Sequence, residues 1–195
     1  MKFTRNGLLT TLLVVAALFI GSQITTHLPQ PEFVLGEAPF LSKADVGEPV
    51  RLRTGDVTVT GVRSAKRVEL YRQVAESPGV WLVVDLTWAP RDAPSGVPAD
   101  APELVAADGR RFGGTQAVIN TCGPAQPGMP VACQFPFEVP TDALEGIRLL
   151  VPTGGSTRAS DDVAEVDLGI DADRAAQLSA TDEQVALETS TVVKR

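Results

Sequence analysis

The chain has 195 residues, of which 44% are apolar and 5% aromatic, with 17 glycines, 15 prolines and a formal charge of −7. Setting aside an apolar N-terminus and polar ends leaves roughly 110 to 130 residues, room for one domain core and too little for two. Net acidity in a chain held outside a cell makes a poor nucleic-acid binder, because phosphate contacts need clustered positive charge. The excess is local: from Asp161 to Glu188 the acids Asp161, Asp162, Glu165, Asp167, Asp171, Asp173, Asp182, Glu183 and Glu188 stand against Arg174 alone. Few aromatics and many Val, Pro and Gly favour short strands joined by frequent turns.

Lys2 and Arg5 precede an apolar run, Leu8 to Ile20, broken only by Thr10 and Thr11. This is a targeting segment, long enough for a signal sequence and close to the minimum bilayer span when counted through Ile24. The site Ile20-Gly21-Ser22 is a poor match to signal cleavage, so residues 1–28 are read as an uncleaved transmembrane anchor, with a cleaved signal helix as the alternative. The positive-inside bias places the N-terminus in the cytoplasm and the rest outside the plasma membrane, in a single pass; a secreted protein is the alternative. Residues 29–49, beginning Leu28-Pro29-Gln30-Pro31, read as an extracytoplasmic linker.

The cysteines, Cys122 and Cys133, admit a disulfide, a metal pair or two buried thiols, and an oxidising compartment favours the disulfide. A metal pair lacks further ligands, because the single histidine, His27, sits beside the apolar helix.

From Val50 the pattern has period two: Val50 and Leu52 alternate with Arg51 and Arg53, then Val57 and Val59 with Thr58 and Thr60, giving two strands joined near Gly55-Asp56. In Gly79 to Trp88, Leu82, Val84, Leu86 and Trp88 share one face, and Trp81 and Val83 the other. A strand apolar on both faces belongs mid-sheet, with a partner sheet on one side and loops on the other. Pro90 to Pro102 reads as a long loop. Asp108-Gly109 makes a hairpin of Glu103–Ala107 and Arg110–Phe112. Gln116 to Ile119 suggests a short strand, and Pro124 to Pro130 another loop. In Ala132 to Val139 the core face is Cys133, Phe135, Phe137 and Val139, and Pro136 marks an edge or bulge. Ile147 to Val151 and Ala164 to Ile170 complete seven to nine strands. Asp171 caps one or two helical turns to Leu178, residues 172–195 form an acidic C-terminal extension, and the chain beyond Leu178 is expected to be loosely held. The fold expected for residues 50–171 is an all-β antiparallel sandwich of immunoglobulin-like type, with a small barrel as the alternative.

Four features resemble a known family. They are Val57-Thr58-Val59, the strand Gly79-Val80-Trp81-Leu82-Val83-Val84-Asp85-Leu86, the Leu104 to Phe112 hairpin, and Phe135-Pro136-Phe137-Glu138-Val139-Pro140. Over Val50 to Val151 the chain resembles a bacterial extracytoplasmic immunoglobulin-like domain family of unknown function, similar to a secreted mycobacterial immunoprotective antigen. That resemblance implies a secreted or tethered β-sandwich of Gram-positive bacteria, with no reaction and no catalytic residues to carry over.

Catalysis through a Ser-His-Asp or Cys-His set needs a histidine base within the domain, and His27 lies outside it. Gly113-Gly114 and Gly154-Gly155 lack a phosphate-loop Lys and read as turns. Catalytic, metal and cofactor-binding residues are therefore expected to be none. The cations Arg51, Arg53, Arg63, Lys66, Arg67 and Arg72 read as solvated strand-face charge, or else as a basic face for anionic headgroups or wall polymers, or one on which the acidic tail could lie. Trp81 and Trp88 read as core rather than as ligand platforms, and Pro90 to Pro102 is either a tolerated insertion or the surface loop for partner recognition. The expected role is a non-enzymatic, membrane-tethered interaction module, accessory to an envelope or membrane protein; the alternative is a ligand-binding or carrier domain with an apolar pocket.

Overall fold

A computed structural model describes residues 5–27, 38–113, 117–152 and 161–193. The chain divides into two units, Met1–Ala38 and Pro39–Arg195. The first contains helix α1, Arg5–His27, in which the side chains of Leu13, Val14, Val15, Leu18, Phe19 and Ile20 are all exposed. Among the described residues no helix is long and apolar enough to cross a membrane.

In the second unit, the element that organises the rest is the 18-residue strand Gln73–Pro90, hairpinned to the 16-residue strand Gly55–Leu70. In chain order the strands are β1 Phe40–Asp45, β2 Pro49–Arg51, β3 Gly55–Leu70, β4 Gln73–Pro90, β5 Ser95–Val97, β6 Glu103–Val105 and β7 Arg111–Gly113. There follow β8 Cys122–Ala125, β9 Val131–Val139, β10 Arg148–Pro152, β11 Asp162–Asp167, helix α2 Ala172–Ser179, and the short strands β12 Gln184–Ala186 and β13 Thr191–Val192. One sheet has the order β1-β11-β10-β6-β7 and the other β12-β3-β4-β9-β13, with β2 on β3; β5 and β8 form a separate pair. Pairing is antiparallel except for β1 with β11 and β12 with β3.

The two sheets bury one core between them. Along β4, Leu86 lies between Val59 and Cys133, and Trp88 between Val57 and Val131. Leu104, Leu149, Val151, Ala164 and Val166 meet this face from the opposite sheet. The chain is thus an all-β sandwich. Gly79 opens the β4–β9 contact because a Cβ there would collide with the carbonyl oxygen of Val139.

Several expected features hold. Gly109 takes φ +88° in the β6–β7 turn, and the Asp171 side chain caps α2 by accepting from the Arg174 N–H at 2.8 Å. At Pro136 strand β9 pairs with β4 alone among the described residues, which leaves an edge where the proline has no N–H to offer.

Other expectations are corrected. The linker assigned to 29–49 includes β1 and the first residue of β2: Phe40 to Asp45 pair with Asp162 to Asp167, and 29–37 lie outside the described residues. Beyond Leu178, where a loose segment is expected, residues 184–186 and 191–192 pair as β12 and β13 and Leu187 is buried, so the tail is docked on the sheet through short contacts. Residues 117–119 are not strand, and Gln116 lies outside the described residues. Parts of both expected loops, 90–102 and 124–130, pair as β5 and β8. Thirteen strands are present among the described residues rather than seven to nine, because many span only two to five residues.

Phe137 is 1% exposed. Phe137→Ala is expected to lower the unfolding free energy by about 3 to 5 kcal/mol, from lost transfer energy and an unfilled cavity, in urea titrations of the full chain.

Candidate functional site

Side-chain alternation sends Trp81 and Val83 to the face of β4 opposite the sandwich core. Trp81 is 1% exposed and Val83 wholly buried, so this face carries a second core. Its other buried members are Ala65, Val68 and Leu70 of β3, Val118 and Leu187, with Ala75 and Val185 at its margin. The arm beyond Lys66 reaches this face through an irregularity: Ala65 pairs with Trp81 but Arg67 with Glu76. The Lys66 ammonium donates to the freed carbonyls of Pro78 at 3.5 Å and Gly79 at 3.3 Å.

The C-terminal segment spans this face from one sheet edge to the other. At the β3 edge, Leu187 N–H donates to the Glu69 carbonyl at 2.7 Å, and the Lys66 N–H donates to the Glu183 carbonyl at 2.8 Å. Further on, Glu188 N–H donates to the Gln134 side-chain oxygen at 2.8 Å. The Asn120 amide donates to the carbonyls of Gln134 and Glu188, at 2.8 and 3.0 Å. At the β9 edge, Thr191 and Val192 pair with Ala132 and Val131. The Gln134 amide also donates to Asp85, which is ion-paired with Arg63. The Trp81 indole N–H has no partner among the described residues, a burial cost of about 1 to 3 kcal/mol.

Beside this face lies the β3–β4 turn, where Tyr71 and Arg72 take positive φ angles of 51° and 67°. Two-residue hairpins of this shape usually carry Asn or Gly, so Tyr and Arg here hold strained backbone. Tyr71 is 76% exposed, and Val74 and Ile119 more than half exposed. A shallow concavity of about 230 Å³ is lined by Leu70, Tyr71, Gln73, Ala117, Val118 and Ile119.

The outer face of the other sheet is different. Lys43, Asp45, Glu48, Arg148, Glu165 and Asp167 line an open concavity of about 500 Å³. Glu165, 5% exposed, is ion-paired with Arg148, which relieves the cost of burying its charge. Parallel register sets Asp45 against Asp167, and antiparallel register sets Arg148 on that carboxylate's other side. The concavity is polar and of mixed sign. Among the described residues no group of three or more His, Cys, Asp or Glu is placed to hold a metal ion.

The sequence-named residues fall as follows. Cys122 and Cys133 are bonded, with Cα atoms 5.3 Å apart, and tie β8 to β9. Trp81 and Trp88 are buried, on opposite faces of β4. His27 ends α1. The basic face does not form as one patch: Arg53 pairs with Asp161, Arg63 with Asp85, and Lys66 holds carbonyls. The tail reaches β3 through backbone bonds and Leu187, and among the described residues no ion pair joins its acids to those cations. The 90–102 loop is anchored, with Val97 and Ala101 buried and the Trp88 indole donating to the Ser95 carbonyl at 3.3 Å. The bridging roles of Asn120, Gln134, Leu187 and Glu188 are not legible in the sequence, since Val185 and Leu187 alone are too few to show a period.

Removing the disulfide by Cys122→Ser and Cys133→Ser opens a loop of sequence separation 11. The expected loss is about 2 to 3 kcal/mol by chain entropy, read as a lower denaturation midpoint. In the β6–β7 turn, the Arg110 backbone N–H and then its guanidinium hold the Asp108 carboxyl below its ordinary value. A lowered carboxylate stabilises the fold above its unfolded pKa, near 3.8, and the contribution fades as pH falls through the folded value. Asp108→Asn should therefore lower the melting temperature slightly at pH 6, and the difference from wild type should shrink on acidification below pH 4. Arg110 is raised by Asp142 and then Asp108, and Arg111 by its bond to Glu103, so both stay charged throughout that range.

No family model matches the chain, and no curated protein matches it. Among solved structures, the yjhA protein from Bacillus subtilis is similar, with a TM-score of 0.43 and 13% identity over 63% of this chain and 98% of that one. That likeness is too distant to carry a statement on fold or function.

Proposed function

We propose that this chain is a non-enzymatic, membrane-tethered interaction module whose immunoglobulin-like sandwich stands outside the plasma membrane and serves an envelope or membrane protein. The observation that carries this reading is where the domain keeps its apolar surface. The space between the sheets is filled by Trp88, Phe135, Phe137, Leu82 and Leu86, each at most 2% exposed. A carrier of apolar ligands needs a chamber there. Exposed apolar side chains lie instead on the outside, at Tyr71, Val74 and Ile119, where a protein partner can cover them.

The anchor reading is supported by α1, which exposes Leu13, Val14, Val15, Leu18, Phe19 and Ile20 around its circumference and begins at Arg5, with Lys2 three residues before it in sequence. Among its described side chains such a helix offers little polar surface to water, which favours contact with lipid, although α1 itself is not long and apolar enough to cross a membrane. The module uses no cofactor and no nucleic acid. A second reading, a tethered binder of an envelope component, is favoured by the mixed-charge concavity at Arg148 and Glu165, which would suit a charged, water-soluble ligand.

The test is co-purification of the full chain from gently solubilised membranes, against a version lacking residues 1–28. The expected outcome is a stoichiometric protein partner, recovered with the full chain and lost without the anchor. Recovery of the protein alone, mainly from the medium, would contradict both the tether and the partner.

A further inference from the structure

We propose that the groove over Trp81 and Val83 accepts an extended peptide from a protein partner, and that residues 181–193 are a displaceable strap filling it in the free chain. The inference rests on the interaction-module reading and supplies its contact surface. Three observations carry it.

The strap is lightly held. Its ladders span three residues at β12 and two at β13, and Leu187 is its one buried hydrophobic side chain. Asp182, Glu183 and Glu188 form no ion pair among the described residues.

The strap can also leave without opening the sandwich. Leu178 of α2 belongs to the core between the sheets, whereas Leu187 belongs to the second core over Trp81. Residues 180–183 between them form neither helix nor strand, which places the hinge there.

Thirdly, with the strap seated, the indole N–H of Trp81, a 1% exposed residue that shares the second core with Leu187, has no acceptor among the described residues. A peptide with the same backbone pairing and an acceptor at that point would satisfy it. The seated strap defines what fits. The incoming segment lies parallel to β3 along Arg67 to Glu69, with apolar side chains two residues apart as at Val185 and Leu187. Strand addition to a sheet edge supplies the backbone bonds, and the alternate side chains supply selectivity.

The probe is a fluorescent peptide of residues 181–193 titrated into the full chain in detergent micelles. A Leu187→Asp chain should bind it at least about tenfold more tightly than the unaltered chain, because the tethered strap no longer competes at high effective concentration. The same peptide with the Leu187→Asp exchange should bind neither. Hydrogen exchange on the unaltered chain is the second measurement, free of any folding defect in the variant. Amides of 184–187 should exchange at least about tenfold faster than those of β4 and β9. Equal exchange, or a folded Leu187→Asp chain that binds no peptide, overturns the proposal. Cross-linking of Gln184→Cys in one copy to Arg67→Cys in another would assign the groove to a second copy and overturn the partner assignment. A partner that co-purifies while the peptide fails sinks this inference alone; peptide binding without any co-purifying partner sinks the module reading.

Discussion

A strand with apolar side chains on both faces has to be covered twice, because leaving either face in water forfeits roughly 25 cal/mol for each Å² of apolar surface. In Val80 to Trp88 this constraint falls on Leu82, Val84, Leu86 and Trp88 toward one side and on Trp81 and Val83 toward the other. The first cover is the opposing sheet, and closing it makes the sandwich. The second is assembled from the hairpin arm, Val118 and the C-terminal segment. The register-shifted β3–β4 arm, the edge-to-edge course of the tail and the Asn120–Gln134–Glu188 bonds all serve that second cover.

The two covers differ in kind. The inner one is a broad apolar interface including Phe135 and Phe137, the outer a small cluster stitched by amide and backbone bonds. The ion pairs of Arg53, Arg91, Arg110 and Arg111 contribute little to either, because they are substantially exposed and screened. The acidity concentrated after Asp161 is therefore mostly solvated charge. Two short edge strands from one tail also blunt both edges of the six-stranded sheet, a way of discouraging unwanted strand pairing.

How much was legible in the sequence depended on whether the signal was local. The two faces of Gly79–Trp88, the core face of Ala132–Val139, the Asp108-Gly109 turn and the Asp171 cap are written in adjacent residues, and the structure has them. Phe40–Asp45 was read as linker because its strand character comes from pairing with Asp162–Asp167, far along the chain. The β3–β4 hairpin was hidden because its turn is Tyr71-Arg72, without the Gly or Asn that ordinarily announces one. Gln184–Ala186 is too short to show a period, so the tail looked free. At the candidate site, the tryptophans and the cysteines were legible. Asn120 and Gln134 were not, since nothing in a lone amide tells which distant backbone it will bridge.

Iodide quenching of tryptophan emission tests the two-cover arrangement most directly, in full chains carrying either Trp88→Phe or Trp81→Phe, with and without residues 181–195. Both single tryptophans should be protected in the complete chain, and loss of the tail should expose Trp81 while Trp88 stays protected. Quenching of Trp81 in the complete chain, or exposure of both tryptophans together on loss of the tail, would contradict two separable covers over one central strand.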